Sequence, residues 1–90
     1  MPQYRCSKSI QTQPLDDQLV ILDLAGDVYY ALNGSARWYF EAIIEGKKPE
    51  EIAHNAVDRY ENLSIEQAQK DIDALIQRLA ELNILVESDA

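Results

Sequence analysis

Ninety residues with a net charge of −8 and a pI near 4.4 leave room for one domain around one hydrophobic core. A chain of this size buries roughly 60–70% of the surface it exposes when unfolded, so a deep, enclosed active site would compete with the core for the same apolar residues. The 47% hydrophobic and 27% charged fractions are those of a folded chain, and the acidic balance disfavours nucleic acid and anionic membrane, whose binding depends on Lys and Arg.

Residues 1–18 are polar, and within them Tyr4 to Ile10 reads as a strand followed by a turn at Pro14 and Asp16-Asp17. Cys6 is the single cysteine, so it closes no internal disulfide and makes no metal cluster alone. The N-terminus lacks a charged-then-apolar signal pattern, and no apolar run is long enough to cross a bilayer; the expected compartment is the cytoplasm. Leu19-Val20-Ile21-Leu22 has the β-branched composition of a central or doubly buried strand. Ala25-Gly26-Asp27 predicts a tight turn with Gly26 at positive φ. Val28-Tyr29-Tyr30-Ala31-Leu32 answers as the returning strand, with Val28, Tyr30 and Leu32 on one face and Tyr29 and Ala31 on the other.

Asn33 or Ser35 caps a first helix running to about Glu45, where Gly46 supplies the stop. Pro49 at the first helical position, followed by Glu50 and Glu51 at the positive end of the helix dipole, opens a second helix with Ile52, Ala56, Val57 and Tyr60 on one face. Ser64 and Gln67 have capping-box spacing and open the longest helix, to about Leu82, with Ile65, Ala68, Ile72, Leu75, Ile76, Leu79 and Leu82 on its stripe. Ile84-Leu85-Val86 ends the chain as a short strand or a packed apolar tail. The Asn33-Gly34-Ser35 and Asn62-Leu63-Ser64 triplets match glycosylation acceptors only formally and read as turn and cap chemistry. The order predicts an α+β, winged-helix-like fold: an N-terminal three-stranded antiparallel sheet followed by three α-helices, one domain over residues 1–90 with its core in 19–86.

The chain offers few residues for chemistry. His54 is the only histidine and has no assignable nucleophile or orienting acid. The carboxylates, including Glu50-Glu51 and Asp71 with Asp73, lack calcium-loop spacing and serve the helix dipole and solubility. There is no glycine-rich phosphate loop. No enzyme activity, cofactor or metal is expected.

Several segments in order resemble the PqqD-like family: Leu19 to Leu24, Gly26 to Asn33, Ala36-Arg37, Glu45-Gly46, Glu51-Ile52-Ala53, and Asp71-Ile72 through Leu79 to Leu82-Asn83-Ile84-Leu85. The resemblance covers about residues 19–86. In pyrroloquinoline quinone biosynthesis protein D a Pro-Glu-Arg-like element usually precedes the first helix, whereas this chain has Asn33-Gly34-Ser35 there. It looks closer to the small leader-binding proteins of lasso-peptide clusters, which work with a separate cysteine protease. An aromatic residue, often Trp, stands six residues before the helix-ending glycine in this family; here Phe40 holds that place and Trp38 lies two residues earlier.

The resemblance implies a RiPP recognition element, a non-catalytic domain that binds the leader of a precursor peptide as an added strand for a partner protease or modifying enzyme. Carried onto this chain, the edge is Asp27, Val28, Tyr29, Tyr30, Ala31 and Leu32, and the facing helix surface is Asp71, Leu75, Arg78 and Leu82. An edge strand offers unpaired N–H and C=O groups to an extended peptide, and it could equally pair with a second copy of the chain. Leu75 and Leu82 lie at one margin of the apolar stripe, as leader anchors or plain core, and Asp71 beyond it could meet a leader Lys or Arg. One alternative is the radical SAM partner role of pyrroloquinoline quinone biosynthesis protein D. A docking subunit without a peptide site is a second. A winged-helix DNA-binding domain is a third, but its recognition helix should be basic, and here Lys70 and Arg78 face Glu66, Asp71, Asp73 and Glu81.

Overall fold

The computed structural model describes Gln3 to Ser88. In chain order it comprises β1 (Gln3–Cys6), β2 (Ile10–Leu15), β3 (Gln18–Asp23), β4 (Val28–Asn33), α1 (Gly34–Ile44), α2 (Pro49–Arg59), α3 (Ile65–Glu81) and β5 (Leu85–Ser88). The α+β architecture is the expected one: an antiparallel sheet in the order β2-β3-β4 precedes three helices. The N-terminal segment departs from expectation. Instead of one strand from Tyr4 to Ile10, the chain folds back at Ser7-Lys8-Ser9, so β2 carries Pro14 within it and only Asp16-Asp17 make the following turn. β1 leaves that sheet and pairs antiparallel with β5, Cys6 opposite Leu85 and Tyr4 opposite Glu87.

Alternation sets the faces of the β2-β3-β4 sheet. Leu19 and Ile21 are buried, with Leu32 and Tyr30 as their β4 partners packing on the same core. Val20 and Leu22, opposite Ala31 and Tyr29, belong to the outer face. The β3–β4 turn is organised by Asp23, whose Oδ1 accepts from the backbone N–H groups of Ala25 (3.1 Å) and Gly26 (3.2 Å). The left-handed residue of this turn is Asp27 (φ 55°) rather than Gly26. Glycine at 26 answers to crowding instead, because a Cβ there would stand 3.2 Å from Asp23 Oδ2.

The helix ends are set locally. Gly46 (φ 94°) closes α1 with Lys47 N–H donating to Ala42 O and Gly46 N–H to Ile43 O, a Schellman ending. Asn83 (φ 61°) closes α3 the same way, with Ile84 N–H donating to Leu79 O and Asn83 N–H to Ala80 O. Ser64 Oγ accepts from Gln67 N–H at 3.1 Å and caps α3 at the other end. Asn33 is the N-cap residue of α1, but its side chain makes no capping hydrogen bond.

The core lies where the three helices meet β3 and β5, with Phe40, Ile21, Ile52, Ile72, Ile84 and Leu85 as its largest sealed side chains. This fixes the register of α1. Phe40 points into the core, while Trp38 is half-buried on the flank, edge-on to Tyr60 at 6.0 Å with the Arg59 guanidinium 5.3 Å above its ring. Arg37 ties α1 to the sheet, donating from Nη1 to the carbonyls of Gln18 (3.0 Å) and Asp16 (3.3 Å) while its Nε pairs with Glu41.

Candidate peptide-binding site

The sheet has two edges, β2 and β4, and they are not equivalent. β2 carries Pro14, which lacks an N–H and blunts that edge. β4 has no proline, and its outer side pairs with no other strand among the described residues. Within β4 the side chains of Tyr30 and Leu32 are drawn inward onto the core, whereas Val28 (45% exposed) and Tyr29 (73% exposed) stay at the surface with Ala31. Asp27, expected as part of this edge, lies in the turn just before it.

β4 runs directly into α1 through Asn33, and the first turns of α1 face α3 across a groove of about 270 Å³. Ser35, Ala36 and Tyr39 line one wall, and Asp71, Ala74, Leu75 and Arg78 line the other. Spacings of four and three residues place Asp71, Leu75 and Arg78 on one side of α3. The expected helix surface is thus brought together with the end of the strand edge, except for Leu82. That residue is the C-cap of α3 and packs partly against the core rather than lining the groove. Leu75 does both, packing at the margin of the core and lining the groove.

The groove's lining joins apolar Ala36, Ala74 and Leu75 to polar Ser35, Asp71 and Arg78. Asp71 Oδ1 accepts from Gln67 Nε2 at 2.8 Å, which fixes the carboxylate and leaves acceptor capacity free. Arg78 is exposed and makes no ion pair with a described residue. The ring of Tyr39 is almost sealed. Burial, then the negative charge of Asp71, then Tyr60 hold its phenol above the usual range. Sequence reasoning missed Tyr39, Ser35 and Ala36. Their spacing places them on one face of α1, but only the packing of α1 on α3 makes that face a wall.

The other residues weighed for chemistry remain apart from this groove. His54 is exposed on α2, and Cys6 is half-buried on β1, where burial raises its thiol pKa. Neither side chain hydrogen-bonds a described residue, and among the described residues no three His, Cys, Asp or Glu side chains are grouped to hold a metal ion. No helix among the described residues is long and apolar enough to cross a membrane.

Comparison with solved structures returns the same fold with a ligand in view. The chain superposes with a TM-score of 0.88 on a lasso peptide synthetase B1 complexed with the leader peptide, at 26% identity over 93% of this chain and 98% of that one. It superposes with a TM-score of 0.82 on TbiB1 in complex with the TbiA(beta) leader peptide, at 25% identity over 90% of this chain and 93% of that one. The search of curated proteins gives no match. The family model for coenzyme PQQ synthesis protein D (PqqD) matches residues 18–85, from the first residue of β3 to the first of β5. That match takes in β3, β4 and all three helices, residues 18–85 of the 90, and this chain belongs to the PqqD family.

Proposed function

We propose that this protein is a non-catalytic RiPP recognition element that captures the leader of a precursor peptide as a fourth strand on β4. The reading rests above all on the likeness to two leader-bound chains across nearly the full length of both partners. The open β4 edge beside a groove is its physical counterpart here. An extended leader would pair its backbone with the outer N–H and C=O groups of Val28 to Leu32 and set an apolar side chain between Tyr39 and Leu75. Backbone pairing sets register and the buried anchor supplies most of the affinity, because a hydrogen bond exchanged with water contributes only about 0.5–1.5 kcal/mol net, against roughly 1.5–3 kcal/mol for a buried apolar side chain. Asp71 would favour a leader Lys or Arg near that anchor, and Arg78 an acidic residue. Asp27 and Leu82 bound this surface at its two ends.

In this reading the whole chain is one cytoplasmic adaptor domain, with no cofactor, that raises the local concentration of leader at a partner protease or modifying enzyme. Lasso-peptide assembly is the pathway favoured, since one of the full-length likenesses is to a lasso peptide synthetase B1 and the Pro-Glu-Arg-like element is replaced by Asn33-Gly34-Ser35. Self-pairing through β4 would compete with the leader for the same edge.

The test is fluorescence anisotropy of a labelled leader, taken from the short precursor gene nearest this one, titrated with the protein at low and high salt. Saturable binding at micromolar or tighter concentration that is lost on scrambling the leader is the expected result. Absence of binding by protein shown to be folded would reject the proposal.

A further inference from the structure

α3 buries Ala68, Ile72, Ile76 and Leu79 along one stripe. At about 100° per residue, Asp71, Leu75 and Arg78 fall on one margin of that stripe. Gln69, Asp73 and Ala80 fall on the other. The second margin also lines a groove, the larger of the two at about 490 Å³, closed by β1, β5 and the first turn of α2. Its apolar lining is Tyr4, Pro49, Ile76, Ala80 and Leu85, of which Ile76 and Leu85 are buried. Glu50, Asp73 and Glu87 are exposed around it. None of these three carboxylates is in a salt bridge with a described residue. Among the described residues no Lys or Arg lines the groove; Lys47 and Lys48 line a small cleft beside it, and Lys47 is paired with Glu45 at 3.5 Å.

An apolar floor inside a rim of one sign selects an occupant of stated chemistry, an apolar anchor flanked by cations. We propose that this second groove docks a segment carrying an apolar residue beside Lys or Arg, supplied by the protein that acts on the bound leader. The partner's role rests on the leader-binding reading above; the groove and its charge do not. The two grooves lie on opposite margins of one helix, so an adaptor can hold leader and partner at once without either displacing the other. The apolar floor provides the affinity of docking, and the rim carboxylates steer the approach and impose salt dependence.

The experiment is an amide NMR titration of the full chain with the capped tetrapeptide Leu-Lys-Leu-Arg, using Leu-Glu-Leu-Glu as control. The expected result is saturable shifts at Tyr4, Gln69, Ala80 and Glu87 with none along β4, and at least about tenfold weaker binding by the double variant Glu50→Lys, Asp73→Lys, whose two reversed charges repel the probe. That variant should keep the parent's fold by circular dichroism and its affinity for labelled leader. Shifts centred on β4 and Asp71, an equal response to the control peptide, or no saturable shift would each overturn the proposal. Failure of the leader titration alone, with this groove still saturating, would reject the leader reading and leave the second site standing.

Discussion

Proline placed in β4 tests strand addition through the hydrogen-bond geometry of the β3–β4 pair. In an antiparallel ladder successive residues alternate between turning their N–H to the partner strand and turning it to the far side. Ile21 is opposite Tyr30 and Val20 opposite Ala31, so one of Tyr30 and Ala31 donates into the ladder and the other faces the open edge. Of the variants Tyr30→Pro and Ala31→Pro, the one that removes an inner donor strands an acceptor on β3 and costs about 1–3 kcal/mol of folding stability. The other leaves the ladder intact, but denies a hydrogen bond to an incoming strand and sets a ring in its path. An unsatisfied leader carbonyl at about 1–3 kcal/mol corresponds to a loss of roughly fivefold to a hundredfold in affinity. Because the Tyr30 side chain also packs on the core, urea titration compares Tyr30→Pro with Tyr30→Ala and Ala31→Pro with the parent, and leader anisotropy is then measured on the variant whose proline costs no stability against its reference. If it binds leader as tightly as the parent, the leader does not add to β4 and the site has been placed on the wrong edge.

Other expectations follow from the core and the groove. Phe40→Ala should cost about 3–5 kcal/mol in urea unfolding because Phe40 is sealed, and Trp38→Ala distinctly less because Trp38 is half-buried; equal losses would contradict the register of α1. Asp71→Asn should weaken a leader bearing Lys or Arg by about fivefold or less, an effect that vanishes at high salt, as for an exposed ion pair of about 0.2–1 kcal/mol. The same substitution should lower the pKa of Tyr39 towards its ordinary value, read from tyrosinate absorbance, because the Asp71 charge contributes to raising it. Alkali should destabilise the fold. Cys6 and Tyr39 both have pKa values raised by burial, so the unfolded chain loses those protons first. Stability is then full below the ordinary thiol range and falls as pH climbs through the raised values. Cys6→Ala should remove the lower-pH part of that fall in thermal melts taken across the alkaline range.

Local chemistry alone determined the hairpin from Leu19 to Leu32 and the three helices. Alternation with period two, Pro49 at a helix start, the Ser64 cap and the Gly46 stop each act within a few residues and carry the same meaning in any fold. Helical spacing likewise put Leu75 at one margin of an apolar stripe with Asp71 and Arg78 just beyond it, the family resemblance singled these residues out for the proposed leader site, and all three line the α1–α3 groove. Tertiary structure decided the rest, because it depends on which surfaces meet. A four-residue strand at Gln3–Cys6 carries no mark of its partner, and pairing with Leu85–Ser88 joins opposite ends of the chain through contacts with no local signal. The positive φ at Asp27 instead of Gly26 follows from Asp23 reaching back over the turn. Tyr39 becomes a groove wall only once α1 lies against α3. The second groove needs Tyr4, Glu50, Asp73 and Glu87 from four elements, residues far apart in sequence until one shared core, with Ile76 and Leu85 in it, draws them together.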